Sequence, residues 1–140
     1  MQFKYNYTPL GKEKLPLVNI IITNPANKLM VSYPSLVDSG AFMSVFHNEI
    51  AYALSIDLSS IKEQIAFAGV GEVKRTLTGK LYVVDLMVSD RGKNHKFDAP
   101  VLFSDDLNPN GYPILGRQGF FNNFIDITFS NNRNKIILTV

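Results

Sequence analysis

The chain has 140 residues, with 46% hydrophobic and 19% charged side chains and a net charge of +2, which fits one folded domain over residues 1–140. The charge is too small and too scattered to predict a nucleic-acid partner. The absence of cysteine excludes disulfides, a thiol nucleophile and cysteine-based metal sites. No apolar stretch is long enough to cross a bilayer, so we expect a soluble, cytoplasmic protein with no membrane partner.

The first third of the chain is predicted to form β-strands. Phe3, Tyr5 and Tyr7 alternate with polar residues, which is the period of a half-buried strand. Residues 15–23 are rich in β-branched side chains and predict a buried strand. Residues 29–37 predict a further strand that follows a turn.

A single short helix is predicted over residues 48–55. Ile50, Ala53 and Leu54 have the i, i+3, i+4 spacing of one helical face. This spacing predicts a helix of about two turns.

The remainder of the chain is predicted to be β again. Residues 64–88 form a second β region, and its last part carries apolar residues at every second position: Tyr82, Val84, Leu86 and Val88. Further strands are expected over 100–103, 124–129 and 135–140. Short strands separated by Gly, Pro and Asn turns predict a mainly antiparallel β barrel or sandwich.

Residues 36–41, with the sequence Leu-Val-Asp-Ser-Gly-Ala, place a carboxylate at the end of a buried strand. Such a carboxylate, Asp38, is costly unless it is hydrogen-bonded or functional. Gly40 is expected to let the backbone turn sharply with a positive φ. Asp-Ser-Gly is also ordinary turn chemistry, so a purely structural turn stays open at this point.

The motif at 36–41 resembles the Asp-Thr/Ser-Gly-Ala turn of retropepsin-like aspartic proteases. A second segment, Ile-Leu-Gly-Arg at 114–117, is similar to the one that lies beneath the catalytic turn in that family. The two segments occur in the family's order, and the resemblance covers roughly residues 15–140. It implies an all-β fold, a retropepsin-like acid-protease barrel with one short helix.

The resemblance also implies an aspartic endopeptidase that acts on peptides or proteins without a metal or cofactor. Its water is activated by two carboxyl groups that share one site. This chain carries one such motif, so the pair requires Asp38 from each subunit of a homodimer. The catalytic turn is then Asp38, Ser39 and Gly40, with the Ser39 hydroxyl bracing the two turns across the dimer axis.

Two further groups of residues take roles from the resemblance. Residues 68–71 resemble the tip of the flap that closes over a substrate, although a plain hairpin turn fits them equally well. The implied substrate-binding residues are Ala41, Phe42, Ala68, Gly69, Val70 and Gly71. Structural roles fall to Leu115, Gly116 and Arg117.

The sequence departs from the family in two places. Phe42 stands where many relatives have a small or polar residue, so it narrows a subsite or packs at the dimer interface. Relatives often pair the arginine of the second segment with an acid shortly after the catalytic turn, and residues 42–45 offer none to Arg117.

Two alternatives to the protease stay open. The first is a peptide- or protein-binding module of the same fold that does not cleave its ligand, and the second is a structural β domain whose Asp38 only caps a turn. His47 and His95 are expected to be surface histidines rather than metal ligands.

Overall fold

The computed structural model describes residues 1–68 and 76–140. Within these residues there are twelve β-strands and one short α-helix, α1 (Asn48–Ala53). The strands are β1 (Gln2–Asn6), β2 (Thr8–Leu10), β3 (Glu13–Leu15), β4 (Leu17–Thr23), β5 (Met30–Val37), β6 (Val45–His47), β7 (Gln64–Ala68), β8 (Thr76–Asp90), β9 (Lys93–Ser104), β10 (Ile114–Leu115), β11 (Asp126–Ser130) and β12 (Lys135–Thr139). The predicted all-β class with one short helix is confirmed.

Six of the strands form a closed ring. Their hydrogen-bonded order is β4-β5-β10-β6-β9-β8, and β8 also pairs with β4 to close the ring. Strand β7 pairs with β8 as an antiparallel hairpin outside it. Most neighbours are antiparallel, as predicted, but β5–β10 and β6–β9 are parallel pairs. The parallel pairing of β5 with β10 places two segments that are distant in sequence side by side.

The hydrophobic core lies inside the ring because alternate side chains of a strand point to the same face. Val84, Leu86 and Val88 of β8 are fully buried, and Tyr82 packs against the core at its edge, as their spacing predicted. Burial of one such aliphatic side chain stabilises the fold by about 1.5–3 kcal/mol.

Strand β9 is much longer than the strand predicted over 100–103. Its first half is polar on the outward face, yet its backbone pairs with β8 from Asp90↔Lys93 onward. A polar face does not prevent strand pairing, since the inward side chains Phe97 and Ala99 still reach the core.

Helix α1 packs against the ring through Ile50, Ala51 and Leu54. The buried side chains follow the spacing i, i+1, i+4, and Ala53, which shares the predicted face with Ile50 and Leu54, is exposed. His47 caps the helix, with its Nδ1 accepting a hydrogen bond of 3.1 Å from the Glu49 backbone N–H. This half-buried capping role differs from the free surface position expected for His47.

A separate three-stranded sheet joins the two ends of the chain in the order β1-β12-β11. Phe3 of β1 lies opposite Leu138 of β12, which lies opposite Ile127 of β11. Phe3 and Leu138 are fully buried, so this face of the sheet packs on the core. The strand predicted from the Phe3, Tyr5 and Tyr7 alternation is confirmed as β1, although β1 ends at Asn6, one residue before Tyr7.

The helices of the described part of the chain are all too short or too polar to span a bilayer.

Candidate active site

Asp38 directly follows β5, at the point where β5 pairs with β10. Its backbone N–H donates to the Leu115 carbonyl oxygen at 3.0 Å. Its Oδ1 accepts a hydrogen bond of 2.9 Å from the Gly40 N–H. Oδ2 accepts no hydrogen bond from any residue in 1–68 or 76–140. One oxygen of this half-buried carboxylate is therefore fixed by its own turn, and the other is open to a ligand or a second carboxyl group.

Gly40 does not adopt the positive φ expected from the sequence, so that expectation is wrong. The turn instead closes with a hydrogen bond from the Ala41 N–H to the Asp38 carbonyl oxygen, 3.2 Å long. A Cβ at position 40 would lie 3.2 Å from the Asp38 Oδ1, which is a tight contact. Glycine at this position therefore leaves room for the carboxylate to fold back onto the backbone.

Gly116, in the second predicted segment, lies against the backbone that follows the Asp38 turn. A Cβ at this position would be 2.4 Å from both the carbonyl carbon and the oxygen of Met43. The Gly116 N–H donates a 3.1 Å hydrogen bond to the Oγ of Ser44, which is fully buried. The Ser44 hydroxyl therefore joins segments that are 72 positions apart, and only glycine fits beside it.

Two more backbone hydrogen bonds continue this contact. The Arg117 N–H donates to the Ala41 carbonyl oxygen at 2.9 Å, and the Gln118 N–H donates to that of Phe42 at 2.8 Å. Residues 38–43 and 115–118 therefore run side by side, as the resemblance predicted for a segment beneath the turn.

Arg117 also meets Phe42 through its side chain. The guanidinium carbon lies 6.0 Å from the centroid of the Phe42 ring, within the range of a cation–π contact. Both side chains are exposed, and 63% of the Phe42 surface is accessible. Sequence reasoning did not predict this contact, although Phe42 and the lack of an acid in residues 42–45 are both evident in the sequence.

The structure describes only some of the remaining predicted site residues. Ser39 is exposed, and its hydroxyl makes no hydrogen bond within the described ranges. Ala68 ends β7 and pairs with Thr76 of the antiparallel strand β8. Gly69, Val70 and Gly71 lie outside the described residues.

The other polar candidates do not gather around Asp38. In the described part of the chain, no three His, Asp or Glu side chains are placed to hold a metal ion. His95 is half-buried rather than a free surface residue, and its ring lies 5.2 Å from that of Phe97 and 5.4 Å from that of Phe124. A cavity of about 370 Å³ between α1 and the β8–β9 hairpin does not include the Asp38 turn.

Comparison with known proteins gives matches among solved structures alone. No protein-family model and no curated protein matches this sequence. The crystal structure of a retropepsin-like aspartic protease from Rickettsia conorii matches with a TM-score of 0.62 and 17% identity, covering 99% of this chain and 90% of that one. EIAV protease complexed with the inhibitor HBY-793 matches with a TM-score of 0.37 and 20% identity, covering 79% of this chain and 88% of that one.

The Rickettsia likeness extends over nearly the whole of both chains, and it agrees with the ring of strands described above. A structural match at 17% identity establishes the fold alone, and the chemistry has to be argued from the site. This chain adopts the retropepsin-like fold.

Proposed function

We propose that this chain is one subunit of a homodimeric aspartic endopeptidase. The observation that carries the proposal is the Asp38 carboxylate, held at the strand end with Oδ1 bonded to the Gly40 N–H and Oδ2 open. A half-buried strand end is a costly place for a carboxylate that accepts few hydrogen bonds and has no function. The retropepsin-like fold around it supports a hydrolytic role, since the matching Rickettsia protein is named as an aspartic protease.

Peptide hydrolysis at such a site needs two carboxyl groups in opposite protonation states. The ionised carboxylate accepts a proton from a water molecule, whose oxygen attacks the carbonyl carbon of the peptide. The protonated carboxyl group donates its proton to the carbonyl oxygen. The resulting tetrahedral intermediate collapses, the C–N bond breaks, and the amine leaves with a proton from the same pair.

The second carboxyl group comes from a second copy of the chain. A two-fold axis places a residue opposite its own mate, so an axis beside the turn brings Asp38 to the partner's Asp38. The exposed Ser39 hydroxyl, which has no described partner within the chain, is suited to bond across that axis.

An extended peptide would bind between the paired turns and the β7–β8 hairpins. Ala41 and Phe42 follow the catalytic turn and form part of the wall in this proposal. The proposed flap, residues 68–71, would close over the peptide and exclude water from the reacting bond.

A second candidate function is a peptide-binding module of the same fold. The observation that favours it is Phe42, whose large exposed ring stands four residues after Asp38. An exposed aromatic side chain beside a groove is a typical anchor for a bound peptide, with or without cleavage.

The test is a peptide-library digest with the wild type and Asp38→Asn, followed by mass spectrometry. Asp38→Asn keeps the shape of the side chain and removes its ionisation, so the variant should fold and dimerise but cleave nothing. A statine-containing peptide, which mimics the tetrahedral intermediate, should inhibit the wild type. Equal cleavage by both proteins would refute the aspartic mechanism, and binding without cleavage by the wild type would favour the binding module.

A further inference from the structure

Arg117 carries an exposed guanidinium beside the candidate active site. Among residues 1–68 and 76–140, no carboxylate oxygen lies within 4 Å of its nitrogens. Ion pairs elsewhere in this part of the chain do form, as between Lys96 Nζ and Asp85 Oδ2 at 3.3 Å. Arg117 is distinguished by its place over the Phe42 ring and not by the lack of an ion pair, which it shares with most Lys and Arg side chains in this part of the chain.

The Phe42 ring supports Arg117 without using its hydrogen-bond donors. The guanidinium carbon is 6.0 Å from the ring centroid, and the backbones beneath are joined by the bonds from Arg117 to Ala41 and from Gln118 to Phe42. A ring attracts a guanidinium as a cation and leaves N–H donors available to a carboxylate, which they can bind through two parallel hydrogen bonds. The pair is thus a supported cation with unused donors.

The Phe42–Arg117 pair belongs to the same part of the structure as Asp38. The Asp38 backbone N–H donates a hydrogen bond to Leu115, and the Arg117 backbone N–H donates one to Ala41. Asp38 and Arg117 therefore belong to two adjoining segments. A peptide extended across the turn advances about 3.3 Å per residue. A side chain a few residues from the cleaved bond would therefore pass the Phe42–Arg117 pair.

We propose that Arg117, supported by the ring of Phe42, forms a subsite that selects an acidic side chain in the bound peptide. This inference rests on the proposed function, because it names the class of peptide that the same site prefers. A merely structural Arg117 would affect the stability of the protein and leave its preference among peptides unchanged.

The test uses pairs of peptides that differ only by Glu or Gln at one position near the cleaved bond. The wild type should cleave the Glu peptide of one pair with a kcat/KM at least about tenfold higher, the effect of one or two charge-assisted hydrogen bonds. Arg117→Gln should cleave both members equally, and Arg117→Lys should retain part of the preference. Phe42→Leu should reduce the preference by removing the ring beneath the guanidinium.

Arg91→Gln is the matched control, because Arg91 is an exposed arginine at the turn between β8 and β9. It should keep the full preference for the Glu peptide. A preference that survives in Arg117→Gln, or a wild type that never distinguishes Glu from Gln, overturns the inference.

A binding measurement separates this inference from the proposed function. If the wild type cleaves no peptide, the protease proposal fails, and fluorescence anisotropy with the same labelled peptides still tests the subsite. Tighter binding of a Glu peptide that is lost in Arg117→Gln supports the subsite, whereas equal binding or no binding of both peptides overturns it.

Discussion

The Gly116 backbone N–H donates a 3.1 Å hydrogen bond to the Oγ of Ser44, although the two residues are 72 positions apart. The Ser44 carbonyl oxygen accepts a further bond of 2.9 Å from the Leu102 N–H. Ser44 is fully buried, so water cannot replace either bond. This residue therefore joins the segment that follows the Asp38 turn to both the Gly116 segment and β9.

Ser44→Ala should lower the free energy of unfolding by about 1–3 kcal/mol, because the buried Gly116 N–H loses its acceptor. Urea denaturation followed by circular dichroism measures the change. Ser32→Ala is the control, since the Ser32 hydroxyl accepts a hydrogen bond from Asn19 at the exposed surface, where water substitutes for it. The control should change stability by no more than about 0.5 kcal/mol. Equal losses of unfolding free energy in the two variants would show that the buried hydrogen bond of Ser44 contributes no more than the exposed one of Ser32.

Gly116→Ala should be more damaging than loss of the Ser44 hydroxyl. The added Cβ would lie 2.4 Å from the Met43 backbone, and a backbone atom cannot move aside as the end of a side chain can. We expect a loss at or above the upper end of the roughly 1–3 kcal/mol typical of overpacking. Gly111→Ala is the control, since its Cβ would be 3.2 Å from the Asn108 carbonyl oxygen in a surface loop. Thermal melting of both variants measures the difference, and a small loss at position 116 would contradict this account.

The parts of the fold that follow from local periodicity were predictable from the sequence. The burial of Val84, Leu86 and Val88 follows from a repeat of two, and the order of the two glycine turns follows from the family resemblance. The repeat of two involves residues that are close together in sequence, and each glycine motif can be compared with the family without knowledge of the fold.

The parts that depend on tertiary packing were not predictable. The first half of β9 is polar on its outward face, and it forms a strand because it pairs with β8. The partner of Ser44 and the contact between Arg117 and Phe42 exist only once the parallel pairing of β5 and β10 has aligned their segments. No spacing between residues in the sequence predicts how β5 and β10 are aligned.

Tyr5 provides a prediction at alkaline pH. Burial raises the pKa of its phenol to about 12, and the negative charge of Asp90 adds to the rise. Between pH 10 and 12 the folded protein therefore keeps a proton that the unfolded chain releases, so stability falls as pH rises through this window. Below pH 10 this contribution is fully present.

Tyr5→Phe should remove that component of the alkaline slope, while Tyr52→Phe, at an exposed ring, serves as the matched control. Urea midpoints between pH 9 and 12 compare the slopes, and tyrosinate absorbance at 295 nm follows ionisation directly. An identical slope in wild type and Tyr5→Phe would rule out a role for this phenol.

Ser39 provides a prediction about assembly. If its hydroxyl bonds across the dimer axis, Ser39→Ala should weaken the dimer by about 0.5–1.5 kcal/mol for each bond lost and lower activity at limiting concentration. Ser39→Thr keeps the hydroxyl and should retain the dimer. Sedimentation equilibrium at micromolar concentration measures both, and unchanged dimer affinity in Ser39→Ala would count against this role. A wild type that cleaves peptides as a strict monomer would refute the shared site altogether.

The paired carboxyl groups predict a bell-shaped dependence of kcat/KM on pH. The reaction needs one Asp38 side chain ionised and its mate protonated, so activity should fall when both are protonated and when both are ionised. The two limbs belong to the pair and not to either subunit. The measurement should use a peptide without ionisable side chains at constant ionic strength, so that the substrate adds no titration of its own.

A mixed dimer makes this prediction specific to the pair. Co-expression of differently tagged wild-type and Asp38→Asn chains yields a heterodimer with one carboxyl group, which two-step affinity purification isolates. This species should bind the statine-containing peptide at least weakly, because its groove is nearly unchanged in shape. It should nevertheless cleave far more slowly than wild type and lose the bell shape, because a single carboxyl group cannot be acid and base at once. A mixed dimer with half or more of the wild-type rate and the same pH profile would show that each Asp38 acts alone, and the shared-carboxyl mechanism would be abandoned.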